Sequence, residues 1–527
     1  MCGIFAYLNK YNLIKKPELF HNVEKSFEKG WSRGPESSEK ILLKNGTLFL
    51  GFHRLAINGL NNESNQPFSI QGISLICNGE IYNYRDLFQK INQKKVSDSD
   101  CEIIIWLYKL YGIEYTLQLL DGVFAFVLYD SHKNLLITAR DPYGVRPMYY
   151  LQSDTELVFT SELKQLNNFS GVIEQYPPGT YSVYSLSTLS SEYSLNQLII
   201  QKKYTSFPFL NNNINLDNII YTGIYSKLFE AVKKRTIGTT DRPIACLLSG
   251  GLDSSIITSM VNQLLPKGTL ETYSIGLPGS VDLKYAKIVA DYLGTKHTTI
   301  VLTEEQFFEA IPDVIRAIES YDTTTVRASV GNYLIGKHIS KHSKAKVIFN
   351  GDGADELTGG YLYFNKCPNH IEFDCETKRL LTDIHMYDVL RSDKCISSHG
   401  LEPRTPFLDR GFVEYYLSID ISIRCHSINN KCEKYLLRES IEYCNNTLLP
   451  KEIIHRRKEA FSDGVSSEDR SWYKIISEKL NGVSEKDYYK LLFSEYYPGR
   501  TNVVKYEWMP KYIPNATDPS ARTLAIY

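Results

Sequence analysis

Seven consecutive residues, Ser249-Gly250-Gly251-Leu252-Asp253-Ser254-Ser255, set two glycines, three hydroxyls and one carboxylate directly after the apolar run 244–248. Glycines let a backbone approach a phosphate closely, and a helix N-terminus with serine hydroxyls supplies donors to an anion. The segment lacks the Gly-Lys-Ser/Thr ending of a Walker loop, so no lysine within it reaches a γ-phosphate. Asp253 suits Mg²⁺ held on a pyrophosphate instead. A bare Ser-Gly-Gly would read as a tight turn. The full heptapeptide after a buried-type strand predicts phosphate binding.

A second chemistry sits at the start of the chain. Cys2 follows Met1, and removal of Met1 would set an α-amine of pKa roughly 7.7–8.0 beside the thiol, a local base for a nucleophile. Alone, Cys2 could be an incidental cysteine at a frayed terminus. Its companions are Arg33-Gly34-Pro35, His53-Arg54-Leu55-Ala56-Ile57, Asn78-Gly79-Glu80-Ile81-Tyr82-Asn83, Ser99-Asp100-Cys101-Glu102 and Arg140-Asp141-Pro142-Tyr143-Gly144. Arg54 can fork onto a carboxylate, and Glu80 with Asp100 can hold an ammonium. Asn78 and Gly79 can form an oxyanion hole from an amide and a backbone N–H. Together these groups describe a site for the α-amino acid end of glutamine and attack on its side-chain amide.

Two resemblances attach to these segments. The loop 249–255 resembles that of the PP-loop pyrophosphatases, which split ATP between the α- and β-phosphates. Cys2-Gly3-Ile4-Phe5 and Cys77-Asn78-Gly79-Glu80, with their companions, resemble the class II glutamine amidotransferase domain. That family has an N-terminal-nucleophile αββα fold, two stacked antiparallel sheets between helices. The resemblance implies Cys2 as nucleophile, Asn78 and Gly79 as oxyanion hole, and a glutamine pocket of Arg54, Leu55, Ala56, Ile57, Asn58, Asn78, Gly79, Glu80 and Asp100. Ser32 departs from the pattern, since the family often has His before Arg-Gly-Pro.

Three further segments bear on the acceptor: the run 321–329 (Tyr-Asp-Thr-Thr-Thr-Val-Arg-Ala-Ser), the run 404–409 (Arg-Thr-Pro-Phe-Leu-Asp) and the run 457–464 (Arg-Lys-Glu-Ala-Phe-Ser-Asp-Gly). They resemble the glutamine-hydrolysing asparagine synthetases, and the match is co-linear to the end Asp518-Pro519-Ser520-Ala521-Arg522. The resemblance implies ATP contacts at Leu247, Ser249, Gly250, Gly251, Asp253, Ser254, Ile275, Asn350 and Gly351, with Lys458 reaching the phosphates. An adenylating site must hold a triphosphate and a dicarboxylate, so Lys458 and Arg327, with Mg²⁺ on Asp253 and Asp355, are the expected countercharges. Without the residues that follow, Arg456 to Lys458 would read as a solvated run. Asp352 stands where the family's Ser-Gly-Glu-Gly-Ser-Asp-Glu has its first glutamate, one methylene shorter in reach, and is expected to serve the adenylate and the attacking ammonia. The implied activity is synthesis of asparagine from aspartate, with ammonia released from glutamine through a Cys2 thioester and used on a β-aspartyl-AMP. Neutral ammonia can cross an apolar passage between the sites where ammonium could not.

The elements that must position these groups fall into two rhythms. Up to about residue 200, short β-type runs recur at 48–52, 73–77, 123–129, 135–139 and 157–160, with a helical stretch at 102–111. The polar stretch 185–217 is the expected linker. Strand and helix then alternate: strands at 244–248, 272–277, 300–302 and 347–349, a helix from Ser255, another at 282–293 closed by Gly294, and a capping box of Thr303 with Gln306. This predicts an α/β protein with a glutaminase domain over 1–200 and a parallel-sheet, adenine nucleotide α-hydrolase-like domain over 201–527.

With 527 residues, more than one domain is expected, and a net charge of −1 offers no field for nucleic acid. No run reaches the roughly 20 apolar residues of a membrane helix. Ten scattered cysteines without zinc spacing suggest a reduced, cytoplasmic setting. A homodimer is one candidate assembly. A β-lactam-forming cyclase would need no glutaminase, a nucleic-acid ligase would need a basic face, and a non-catalytic relative would be expected to lose Cys2, Asp253 or Lys458.

Overall fold

The computed structural model describes residues 1–186, 197–207, 217–467 and 469–520. The first part is built from β1 (Gly3–Asn9), β2 (Ser37–Leu43), β3 (Leu48–Arg54), β4 (Phe68–Ile70), β5 (Ile73–Ile81) and β6 (Gly122–Asp130), followed by β7 (Leu135–Arg140), β8 (Tyr149–Gln152), β9 (Glu156–Thr160), β10 (Val172–Gln175), β11 (Thr180–Ser185) and β12 (Gln197–Lys203). They form two antiparallel six-stranded sheets, β10-β8-β9-β1-β3-β2 and β12-β11-β7-β6-β5-β4.

The strand period of two explains the layering. Ile4, Ala6 and Leu8 of β1 enter the layer shared with Ile76 of β5 and Ala125 and Val127 of β6. Phe5 and Tyr7, on the other face of β1, pack with Val23 and Phe27 of the helix Pro17–Glu28. Leu75 and Cys77 of β5 turn outward onto Ile104 and Leu107 of the helix Ile103–Leu119. Slipping β1 by one residue would exchange its two faces, and each side chain lost from its layer would forfeit about 1.5–3 kcal/mol. The helix expected at 102–111 thus runs on to Leu119, with Gly112 at φ 77° interrupting its geometry.

The expected linker needs correction. Within 185–217, β12 pairs with β11 from Thr180↔Lys203 to Ser185↔Gln197, so the first part reaches Lys203 and residue 200 falls inside a strand. Hydrogen-bonding to an existing sheet edge overrides a weakly periodic sequence. Residues 187–196 and 208–216 of that stretch lie outside the described residues.

The second part carries a parallel sheet in the order β15-β14-β13-β16-β17, from β13 (Ile244–Leu247), β14 (Glu271–Gly276), β15 (Lys296–Val301), β16 (Val347–Phe349) and β17 (Glu402–Arg404). The chain steps outward from β13 through β14 to β15, then returns across β13 to lay down β16. Connections therefore diverge between β13 and β16, which opens a crevice at their C-terminal ends. The helix Val281–Leu293 ends on Gly294 at φ 67°, and Thr303 with Gln306 makes the expected capping box. The helix expected from Ser255 starts earlier, at Leu252 with Gly251 as N-cap, so Asp253 sits in its first turn. Gly250 makes this possible: at φ 72°, a Cβ there would lie 2.4 Å from the backbone of Ala286. Among the described residues no helix is long and apolar enough to cross a membrane.

Candidate active sites

Cys2 enters β1 at the mouth of the first sheet pair, and its thiol donates to the Leu55 carbonyl at 3.5 Å. Arg33, fully buried, donates from Nε to the Cys2 carbonyl at 2.8 Å and pairs through Nη1 with Glu162 and Asp393, both at 2.7 Å. Burial pushes the thiol up, while the terminal amine, the Leu55 bond and Arg54 pull it down. Met1 is itself buried, its amine donates to the Leu401 carbonyl at 3.0 Å, and burial lowers that amine to about 5.

Arg54 closes β3 with its fork taken by the 58–65 loop. Nη1 donates to the Asn61 carbonyl at 2.8 Å and Asn65 Oδ1 at 2.6 Å, and Nη2 to the carbonyls of Asn58 and Gly59. Leu55, Ala56, Ile57 and Asn58 follow it, all buried. Asn58 Nδ2 donates to Glu80 Oε2 at 2.8 Å, and Asp100 Oδ2 accepts the Ile81 N–H at 2.6 Å. Burial, with Glu402 and Asp100 nearby, drives the Glu80 carboxyl up, and burial raises Asp100 to about 6. Asn78 is fully buried, and its side-chain amide has no hydrogen-bond partner on either atom. Beside it, Gly79 tolerates no side chain, because a Cβ would stand 2.5 Å from the Val123 carbonyl. An unpaired amide donor next to a backbone that no side chain can shield suits an oxyanion hole.

The second site is the crevice at the C-terminal ends of β13 and β16. Leu247, Ser249, Gly251, Asp253, Ser254, Ile275, Asn350, Gly351, Asp352, Asp355 and Lys458 line one cavity, and Gly250 forms the turn behind it. Lys458 Nζ pairs with Asp355 Oδ2 at 2.5 Å. Burial works against charge on Asp355, yet Lys434 and Lys458 outweigh it and hold its carboxyl below the usual range. Asp352 contacts Arg391 Nη2 at 3.0 Å and Asn350 Nδ2 at 2.7 Å. Burial first, then Asp388, raises its carboxyl against the pull of Arg391. Asp253 Oδ1 is buried without a hydrogen-bond partner, while its other oxygen meets Lys434. Hard oxygen donors on Asp253 and Asp355, facing a phosphate-type loop, fit Mg²⁺, which typically takes one or two carboxylates and completes its shell with phosphate and water.

Arg327, expected as a countercharge, stands apart from these residues. It does not line this cavity. Its guanidinium is bracketed by Glu485 and Asp518, with Nη2 2.5 Å and 2.7 Å from their carboxylates. Two carboxylates occupy its buried fork. Conversely, sequence reading missed Lys434, whose buried Nζ bridges Asp253 Oδ2 at 2.5 Å and Asp355 Oδ1 at 2.6 Å. It also missed Arg456, which is not solvated but pairs with Asp282 at 2.7 Å over the ring of Tyr285. A run of Arg456-Arg457-Lys458 gives no signal of which cation turns inward.

The two sites meet at Arg404, which was noted only as part of a motif. Its Nη2 lies 3.4 Å from Glu80 Oε2, while its backbone carbonyl accepts the Asn350 N–H at 3.1 Å. The carboxylate beside the first site and the loop carrying Asp352 are thus joined through one residue.

A glutamine amidotransferase domain family matches residues 1–198, and the asparagine synthase family matches 223–374 and 366–508. The mouse (Mus musculus) glutamine-hydrolysing asparagine synthetase is 38% identical over 584 residues, covering 100% of this chain and 99% of its own length. The human (Homo sapiens) enzyme is 38% identical over 577 residues with the same coverage. Among solved structures, a glutamine phosphoribosylpyrophosphate amidotransferase from B. subtilis aligns at 15% identity and TM-score 0.32, covering 57% of this chain and 81% of its own, and carries no weight in the assignment. On full-length identity and both domain matches, the chain belongs to the glutamine-hydrolysing asparagine synthetases.

Proposed function

We propose a residue-level division of labour for this chain's glutamine-dependent synthesis of asparagine from aspartate. Residues 1–200, with the three that complete β12, carry glutamine hydrolysis, and residues from there to 527 carry synthesis. After Met1 is removed, the Cys2 α-amine takes the thiol proton and the sulfur attacks the glutamine amide carbon. Asn78 and the Gly79 N–H take the negative charge on oxygen, and ammonia leaves as the thioester forms. Water then releases glutamate. Arg54, turned from its loop carbonyls, grips the α-carboxylate, and Glu80 with Asp100 grip the ammonium.

In the cavity, ATP lies with its adenine along Leu247 and Ile275 and its phosphates on the 249–254 loop. An aspartate β-carboxylate oxygen attacks the α-phosphorus and pyrophosphate leaves. Ammonia attacks the resulting acyl adenylate, and AMP departs with the bond it shared with the acyl carbon. Lys458 and Lys434 balance the pyrophosphate charge. Mg²⁺ bound by Asp253 and Asp355 would supply further neutralisation of the phosphates. Asp352 holds the ammonia beside the acyl carbon and accepts a proton after attack.

The observation that carries this reading is the convergence of Asp253, Asp355, Lys434 and Lys458 in one cavity at the strand ends. It is tested by incubating the protein with glutamine, aspartate and MgATP. Asparagine, glutamate, AMP and pyrophosphate are expected in equal amounts; stoichiometric ADP and phosphate would sink the adenylate route.

A further inference from the structure

The segment Asp518-Pro519-Ser520 has no part in the chemistry above, yet it makes polar contacts with two elements that border the synthetase cavity. Asp518 sits face-on to the Arg327 guanidinium, with Nη1 to Oδ1 at 2.8 Å and Nη2 to Oδ2 at 2.7 Å. Glu485 takes the remaining edge, from Nε at 2.8 Å and Nη2 at 2.5 Å, and accepts the Tyr489 hydroxyl at 2.6 Å. Asp518 Oδ1 also accepts the Ser520 N–H at 2.8 Å, which turns the chain so that Ser520 Oγ donates to Asp463 Oδ1 at 2.8 Å. Ser520 is 6% exposed and Asp463 1%, so this contact is made inside the protein.

Asp463 lies on the short helix Phe461–Gly464, which follows the 455–460 loop bearing Lys458. That helix docks on the helix Thr323–His342, the element carrying Arg327. A Cβ on Gly331, one turn beyond Arg327, would stand 2.9 Å from the Phe461 ring. The helix Thr323–His342 therefore holds Phe461 directly and holds Asp463 through the strap Arg327–Asp518–Ser520. The upstream end of the loop is held separately, by Arg438 Nη1 on the Ile454 carbonyl, and Lys458 N–H donates to Glu433 at 3.0 Å.

We propose that Arg327, Asp518 and Ser520 are positioning residues: the chain's C-terminal segment is a strap that fixes the downstream anchor of the Lys458 loop, and with it the reach of Lys458 into the cavity. This rests on the reading of Lys458 as a phosphate ligand. The physical basis is that a bidentate ion pair is a far more rigid tie than a lone hydrogen bond, because both partners lose their rotational freedom together. Without it, the loop keeps its own ties, Arg456 on Asp282 and Lys458 on Asp355, but its downstream end loses the contact on Asp463 that helps set its position.

The test compares the full chain with Asp518→Asn, Ser520→Ala and Arg327→Met. Three readouts are used: ammonia-dependent asparagine synthesis, glutamine hydrolysis, and tryptic cleavage after Arg456, Arg457 and Lys458 without nucleotide. Asp518→Asn and Ser520→Ala are expected to raise KM for ATP and lower synthesis by roughly tenfold, the scale of one charge-assisted hydrogen bond. Cleavage should accelerate by a similar factor, and glutamine hydrolysis should stay within about twofold, which shows that the chain is folded. Asp518→Glu, which keeps the charge, should recover part of both losses. Unchanged cleavage and synthesis in Asp518→Asn would overturn the strap, and an inactive Arg327→Met beside it would restore a direct role for Arg327. Lys458→Ala separates the underlying reading from the strap: if it leaves synthesis intact, the phosphate role fails, while the cleavage result still reports whether the strap holds the loop.

Discussion

The two sites differ in what stands against their buried carboxyls. Around the first, burial pushes Glu80 and Asp100 upward, and Glu402 nearby adds to both against the pull of Arg404. Around the second, lysines hold Asp355 below the usual carboxylate range against the same penalty of burial. Glu80 and Asp100 of the first site thus stand above the usual carboxylate range and Asp355 of the second below it, although Asp352 in the same cavity is raised. A pocket awaiting an ammonium gains its full charge only when the ligand arrives. In the second site Lys434 and Lys458 are already paired with carboxylates, and the proposed phosphates would make them re-pair. Their backbones differ in the same sense. The first draws on residues from the ends of antiparallel strands and the 58–65 loop, and the second on the diverging C-terminal ends of parallel strands.

Cys2→Ala gives the largest test of this separation. Synthesis from glutamine is expected to vanish, a loss beyond the roughly 10²–10⁴-fold of a general acid or base, while synthesis from ammonium salts persists. A variant dead with both donors, yet folded by circular dichroism, would break the comparison by making the sites one. Asp352→Ala should cost synthesis about 10²-fold, the scale of one lost electrostatic contact in a transition state, and leave glutamine hydrolysis nearly unchanged. Equal losses in both half-reactions would reduce Asp352 to a structural residue. Asp352→Glu sharpens this: a faster enzyme would mean that the shorter side chain costs rate.

The smallest expected effect concerns pH. Burial raises Asp100 to about 6, so its carboxylate is charged above that pH and neutral below it. In its proposed role, the contact of Asp100 with the ammonium is therefore present above about 6 and lost as pH falls through it. kcat/KM for glutamine hydrolysis should drop along a limb near that value, by up to about tenfold per pH unit. Asp100→Asn should lower the plateau and remove the limb; a limb that survives the substitution belongs to another group.

Much of this was legible before folding. The strands carrying the first sheets show in β-type runs because alternate residues meet different layers, as Phe5 and Ala6 do. The glycine-rich turn at 249–251 and the Asn78-Gly79 step are local, since backbone approach depends on the residue at that position. Those are determined by neighbours in sequence, whereas residues such as Leu247, Ile275 and Asn350 were named through resemblance to a family. The tertiary structure decided the partners. Lys434 reaches Asp253 across 181 positions, and Arg327 meets Asp518 across 191. A lysine in a polar stretch and an arginine near a catalytic motif carry no mark of which carboxylate will lie beside them. β12 was hidden for the same reason: its register on β11 comes from hydrogen bonds offered by an edge formed elsewhere in the chain. Periodicity and residue type report what a segment does with its own backbone. Ion pairs and sheet edges depend on distances that exist only once the chain has closed on itself.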